Sequence, residues 1–259
     1  MASVVAGGHR LEMQWVRPRQ PSGAHRPVLV FLHEGLGSVA LWKDFPRRVV
    51  EATGCSALVY SRYGYGQSEP LAAPHAVDYM HREALQVLPD LLGKLAISEP
   101  ILIGHSDGAS IALIHAGAAQ WPVRGLVAMA PHVFVEDITI ESIAQARVAF
   151  DTSDLPRKLG RYHADVNSAF RGWNDIWLHP AFRAWNIEES LPGIACPILL
   201  IQGQDDRYGS MAQIEAIERQ VRGPVRTLRL PGCGHSPYVD QPEQTLQGIA
   251  TFVEELCAA

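Results

Sequence analysis

Apolar residues along this chain fall into short unbroken runs, separated by longer stretches in which they recur every three or four positions. The runs at 27–33 (PVLVFLH), 55–61 (CSALVYS), 100–106 (PILIGHS), 123–131 (VRGLVAMAP), 196–203 (CPILLIQG) and 225–232 (VRTLRLPG) carry Gly, Pro or Ser punctuation and read as buried strands. Unbroken runs, rather than alternation, suit parallel strands covered on both faces. The intervening periodicity predicts helices over Leu41–Thr53, Ala76–Leu95, Asp107–Gln120, Met211–Arg222 and Gln241–Leu256. Asp240 and Pro242 suit the start of the last helix, whose Leu246, Ile249, Phe252, Val253 and Leu256 recur on one face. Upstream, SVV and RLEMQWV flank Gly7-Gly8 as an antiparallel hairpin. The sum is an α/β fold with a mostly parallel central sheet and helices on both faces.

One stretch breaks the alternation. From His132 to Leu191 there is no buried-strand signal, while Phe170, Trp173, Trp177, Phe182 and Trp185 stand among polar residues and prolines. The expectation is a helical cap, or lid, over 132–191, inserted into a core made of 1–131 and 192–259. The insertion leaves its first strand at the carboxyl edge, where open α/β sheets bind ligands.

Composition narrows the function. The 259 residues carry a net charge of −5 with no Lys/Arg run, so no nucleic-acid partner is expected. Cys55, Cys196, Cys233 and Cys257 are far apart and form no CxxC pair, which argues against a metal site and a disulfide framework. No apolar run approaches the roughly 20 residues of a membrane span, and the N-terminal run is short for a signal peptide. A reduced, cytoplasmic protein with no membrane partner and no cofactor is the expectation. A homo-oligomer is left open.

The chemistry concentrates in ILIGHSDGASIALIHAG (101–117). An apolar strand runs straight into Gly-X-Ser-X-Gly and on into an apolar helix. That context turns a common motif into a candidate nucleophile elbow at Ser106, with Gly104 and Gly108 leaving room for neighbouring chain. A serine hydroxyl needs a base. His235, in LPGCGHSPYVDQP after the last strand, sits where a loop reaches the sheet's carboxyl edge. His9, His25, His75 and His81 read as surface or helix-borne, His115 as packed inside a helix and His33 as a loop brace. The base in turn needs a carboxylate, which LLIQGQDDRYGS offers as Asp205 or Asp206.

The order Ser, Asp, His on this framework resembles the α/β-hydrolase fold superfamily, and the likeness covers essentially the whole chain, with 132–191 in the place of the cap. Within it the pattern resembles capped serine hydrolases, such as esterases and hydrolases of ring-fission (meta-cleavage) products. The resemblance implies that the acid stands three residues after the strand-ending Gly203, hence Asp206, with Asp205 as runner-up. It also matches SRYGYGQS (61–68) to a loop that shapes the wall under the nucleophile. Two backbone amides should form an oxyanion hole. One belongs to Asp107. The other lies in FLHEGLGSVALW (31–42), where Glu34 replaces the family's usual glycine. The register of carbon–carbon hydrolases gives Gly35, and an insertion at Glu34 would give Leu36 instead. Glu34 itself is either a salt-bridged loop anchor or a group facing the pocket. His105, His132, Trp173 and Trp177 are further candidates for the pocket lining.

These residues imply hydrolysis of a small carboxylic ester, lactone or thioester through an acyl-enzyme. The alternative is cleavage of a carbon–carbon bond in a ring-fission dienoate or β-diketone, whose carboxylate would call for an arginine such as Arg62, Arg147, Arg171 or Arg183. A non-catalytic ligand-binding receptor on the same fold is the reading from another class.

Overall fold

A computed structural model describes residues 2–20 and 26–258; His25 lies outside the described residues. Eight strands form one sheet: β1 (Ala2–Ala6), β2 (His9–Val16), β3 (Leu29–Leu32), β4 (Ala57–Tyr60), β5 (Ile101–His105), β6 (Gly125–Met129), β7 (Ile198–Gly203) and β8 (Val225–Leu230). Their order is β1-β2-β4-β3-β5-β6-β7-β8. The β1–β2 and β2–β4 pairs are antiparallel, and every pair from β4 onward is parallel. The hairpin turns at Gly7 and Gly8, both at positive φ.

The unbroken apolar runs sort by alternation into two buried faces. Val30, Leu32, Leu58, Tyr60, Leu102, Leu126, Ala128 and Leu200 share one core, and Leu29, Phe31, Val59, Ile103, Val127, Met129 and Ile201 share the other. The second face is covered by helices Phe45–Thr53 and Pro242–Ala258; Val49, Val50, Ile249 and Phe252 belong to its core. The first is covered by the central helix Asp107–Ala118, by Met211–Gln220 and by a helix over 79–94. That last helix contains a π turn at Glu83–Val87. Asp107–Ala118 is buried almost all round, which is why its sequence lacks a polar stripe.

Between β6 and β7 the chain forms helices Asp137–Thr152, Leu155–Leu159 and Val166–Trp177, followed by 3-10 turns Pro180–Ala184 and Glu188–Gly193. The helix Val166–Trp177 turns Ala169, Phe170, Trp173, Ile176 and Trp177 inward and starts on an Asp165 cap bonded to the Ser168 amide. Strand order reverses between β3, whose successor lies on one side, and β5 on the other. The crevice at the carboxyl ends of β3 and β5 is therefore the topological switch point of the sheet.

Candidate active site

β5 ends at His105, and the chain turns directly into the central helix through Ser106. Ser106 adopts φ +52°, ψ −120°, a strained conformation for a residue with a side chain. The turn is tight because β5 and the helix touch: a Cβ at Gly104 would lie 2.5 Å from the Ala109 Cα, and one at Gly108 would collide with the Leu32 carbonyl. The Ser106 N–H donates to the Met129 carbonyl at 2.9 Å, which fixes the turn to β6.

Two loops from the far end of the chain converge on that hydroxyl. His235 Nε2 lies 2.9 Å from Ser106 Oγ, and His235 Nδ1 lies 2.8 Å from Asp206 Oδ2. Asp206, not Asp205, is the partner; Asp205 is exposed and its backbone N–H donates to the Cys233 carbonyl. Asp206 also accepts from Gln202 Nε2 at 2.9 Å and from the Tyr208 amide at 2.7 Å. Burial opposes the Asp206 charge, but the His235 imidazole and the Tyr208 amide outweigh it and hold the carboxyl below its ordinary value. With every donor aimed at the carboxylate, the Nδ1 proton sits on the Asp206 side and Nε2 is free to accept from Ser106.

A cavity of about 220 Å³ opens over Ser106. Gly35, Leu36, Asp107, His132, Ile143, Trp173, Trp177 and Tyr208 line it together with Ser106 and His235. Gly35 is required there, because a Cβ would collide with the Trp173 indole. Ser110 Oγ donates to the His132 carbonyl at 2.6 Å and accepts from the His132 amide at 3.1 Å. The His132 imidazole is pushed down to about 3 by burial and by neighbouring His235.

Glu34 lies between the cavity and a buried histidine. It lines the cavity, and its Oε2 lies 3.4 Å from His105 Nδ1, while His105 Nε2 is 2.7 Å from the His235 carbonyl. Burial works against the Glu34 charge, but His105 overcomes it and the carboxyl is held at about 2. Burial likewise works against the His105 cation, and Glu34 overcomes it, raising the imidazole. The pair bridges the loop after β3 to the loop that carries His235.

Of the remaining histidines, His33 is buried as a brace, with Nδ1 2.6 Å from the Glu34 carbonyl and Nε2 accepting from the Arg62 amide at 3.0 Å. His115 packs against the Ala84 carbonyl. His75 is not a free surface residue: it is half-buried, stacks on Tyr79 and approaches the Tyr65 hydroxyl. None of the four candidate arginines lines the cavity. Arg62 is buried beneath the Glu34 loop, and Arg147, Arg171 and Arg183 pair with Asp175, Asp151 and Asp137. Sequence reasoning did not single out Gln202, Ile143 or Tyr208. Gln202 was hidden because a polar residue inside an apolar strand carries no mark of which carboxylate it will meet.

Among the described residues no helix is long and apolar enough to cross a membrane, and no cluster of His, Cys, Asp and Glu could hold a metal ion.

Comparison with known proteins agrees with this architecture. A model of the alpha/beta hydrolase family matches residues 29–247. Mouse (Mus musculus) monoglyceride lipase is 24% identical over 263 residues, covering 93% of this chain and 86% of its own. The sn-1-specific diacylglycerol lipase ABHD11 of Danio rerio is 29% identical over 140 residues, which span 53% of this chain and only 43% of that protein. A solved membrane phospholipase A, described as a bacterial virulence factor, superimposes with a TM-score of 0.78 at 20% identity, over 100% of this chain and 86% of its own.

Proposed function

The chain belongs to the alpha/beta hydrolase family, and we propose that within it the protein is a serine hydrolase of a small carboxylic ester, lactone or thioester. The observation that carries this reading is the relay from Asp206 through His235 to Ser106, with both hydrogen bonds below 3 Å and the hydroxyl on a strained turn at the floor of a cavity.

His235 Nε2 takes the proton from Ser106 as Oγ attacks the carbonyl carbon. The carbonyl oxygen, now an anion, receives the N–H groups of Gly35 and Asp107. Asp107 is the first residue of its helix, so its N–H has no acceptor within it. His235 returns the proton to the leaving group, and the acyl group stays on Ser106. Water, deprotonated by the same imidazole, then attacks the acyl carbon; the carboxylic acid leaves and Ser106 recovers its proton. Asp206 keeps the imidazole in the required tautomer and stabilises its cation. No step needs a cofactor.

The helices of 132–191 serve in this reading as a cap, whose Ile143, Trp173 and Trp177 give the acyl group an apolar wall. The volume lies below the roughly 300–1,000 Å³ of drug-sized sites, which favours a short acyl chain. The names of the lipase relatives support ester hydrolysis as the class. Carbon–carbon cleavage of a dienoate is less well served: among the described residues no Lys or Arg lines the cavity, and ionised Glu34 does.

The test is Ser106→Ala against p-nitrophenyl acetate and butyrate, with a fluorophosphonate as active-site label. Loss of turnover by several orders of magnitude, together with loss of labelling, is expected. A folded wild-type protein that neither turns over these esters nor labels at Ser106 would be a receptor or scaffold.

A further inference from the structure

The Glu34 carbonyl is crowded. It accepts the Gly37 N–H at 3.0 Å, closing a turn over Gly35 and Leu36, and His33 Nδ1 lies 2.6 Å away. Two donors satisfy the two lone pairs of a carbonyl oxygen. A third nevertheless reaches it: Arg62 Nη2 donates at 2.8 Å. Arg62 is 2% exposed, and a guanidinium is not withdrawn from water cheaply. The same Nη2 lies 3.7 Å from Asp107 Oδ2, which also accepts from the Tyr79 hydroxyl at 2.6 Å. One buried cation thus holds the peptide group that precedes Gly35 and the side chain of Asp107.

Those are the two residues whose amides receive the carbonyl oxygen in the mechanism above. No peptide bond among the described residues is cis, so the Gly35 N–H points opposite to the Glu34 carbonyl that belongs to the same peptide. With that carbonyl turned onto Arg62, the N–H is turned away from it, and Gly35 lines the cavity. Among the described residues no group accepts a hydrogen bond from this N–H. A cation at the oxygen end of an amide also draws electron density from the nitrogen end and strengthens it as a donor.

We infer that Arg62 is the positioning residue of the oxyanion hole: its guanidinium fixes and polarises the Glu34–Gly35 peptide and ties it to Asp107. The inference rests on the reading of Ser106 as nucleophile and Gly35 as donor. It also accounts for the third donor, which neutralising Asp107 alone would not require. The ring of Tyr65, 4.8 Å below the guanidinium carbon, keeps the fork in its plane.

The experiment compares Arg62→Lys and Arg62→Gln with Tyr79→Phe. Tyr79 touches the Asp107 carboxyl but not the Glu34 carbonyl, so it controls for general damage to the buried cluster. An ammonium group lacks the planar guanidinium that stacks on Tyr65 and so fixes the one nitrogen shared by both partners. Removing a whole oxyanion donor costs roughly 10²–10³ in kcat; loosening one should lower kcat by about 10–10² in Arg62→Lys, with KM within about twofold. Affinity for an alkyl boronic acid, which places a charged oxygen in the hole, should fall by the same factor as kcat/KM. Tyr79→Phe should lose stability but keep kcat and boronate affinity within about threefold. Arg62→Gln, which retains a donor without charge, serves if the lysine variant does not fold. A folded Arg62 variant with unchanged kcat, or with reduced kcat but unchanged boronate affinity, overturns the inference. So does equal loss of kcat in Tyr79→Phe. Failure of the wild type to react with fluorophosphonate at Ser106 would instead bring down the nucleophile reading.

Discussion

Replacing Asp206 by Asn changes one atom and reverses one hydrogen bond. Asp206 Oδ2 receives His235 Nδ1 at 2.8 Å and Gln202 Nε2 at 2.9 Å, while Oδ1 receives the Tyr208 amide at 2.7 Å. The backbone amide of Tyr208 cannot reorient, so the Asn oxygen stays there and its NH₂ faces His235 and Gln202. The imidazole can meet that NH₂ only as an acceptor at Nδ1. Its proton then sits on Nε2 and points at Ser106 Oγ, so the base is already occupied. The wrong tautomer costs roughly 10⁴ in kcat in a serine triad, or about 5 kcal/mol of barrier. The fold should suffer less. Gln202 Oε1 is buried without a partner, so turning over the Gln202 amide would present that oxygen to the new NH₂. The cost is the bond from Gln202 Nε2 to the Gly209 carbonyl, leaving roughly 1–3 kcal/mol of lost stability. The assay is steady-state hydrolysis of p-nitrophenyl acetate beside a urea melt, with Asp205→Asn as the control. A kcat within tenfold of wild type in Asp206→Asn, or an equal loss in Asp205→Asn, would refute the assigned relay.

Two more predictions concern charge. His132 is held at about 3 against an ordinary imidazole value of 6.5, so below pH 6.5 the unfolded chain binds a proton that the native one refuses. That stability is complete above pH 6.5 and drains as pH falls toward 3, by about 2–3 kcal/mol at pH 4.5 from His132 alone. His75, at about 4, and His33 and His163, also lowered by burial, act in the same sense, while the raised His105 opposes them. Urea midpoints at pH 7.5 and 4.5 measure the sum; equal midpoints would contradict it. Glu34→Gln should shift kcat/KM by about tenfold toward esters with an anionic acyl group, relative to neutral isosteres, by removing a carboxylate from the cavity wall. An unchanged ratio would place the substrate away from Glu34.

Much of this site was legible in the sequence because its parts are local. The elbow needs only a strand, two glycines and a helix in succession, and residues 101–118 spell that out. The strands were read one or two residues too long at their ends, where apolar side chains continue past the last ladder bond, as at 27–33 against Leu29–Leu32. The first helix starts at Phe45 rather than Leu41, since the preceding residues form turns and Pro46 suits the first helical turn. Periodicity over 76–95 gave a single helix and could not reveal the π turn at Glu83–Val87, which keeps the same apolar face. Arg62 has two readings in the sequence, one of four cations open to a substrate carboxylate and a member of the loop under the nucleophile; its place under the Glu34 carbonyl depends on β3 and β4 lying side by side, a pairing that no spacing encodes. The choice of Asp206 over Asp205 came from resemblance, and its physical reason, the Gln202 and Tyr208 donors, emerges only in three dimensions.

The relay joins residues far apart in the chain: 129 positions separate His235 from Ser106. That distance sets an order of events during synthesis. The elbow emerges early, and its strand pairs with β3 and β6 through connections of moderate length. The acid and the base arrive only with the final quarter of the chain, after the helices of 132–191 and β7. On the proposed mechanism, a chain that ends between Ser106 and His235 has the nucleophile but not its base and is expected to show no turnover. Closing so long a loop is a late folding step, and recovered turnover is a stricter measure of completed folding than recovered secondary structure.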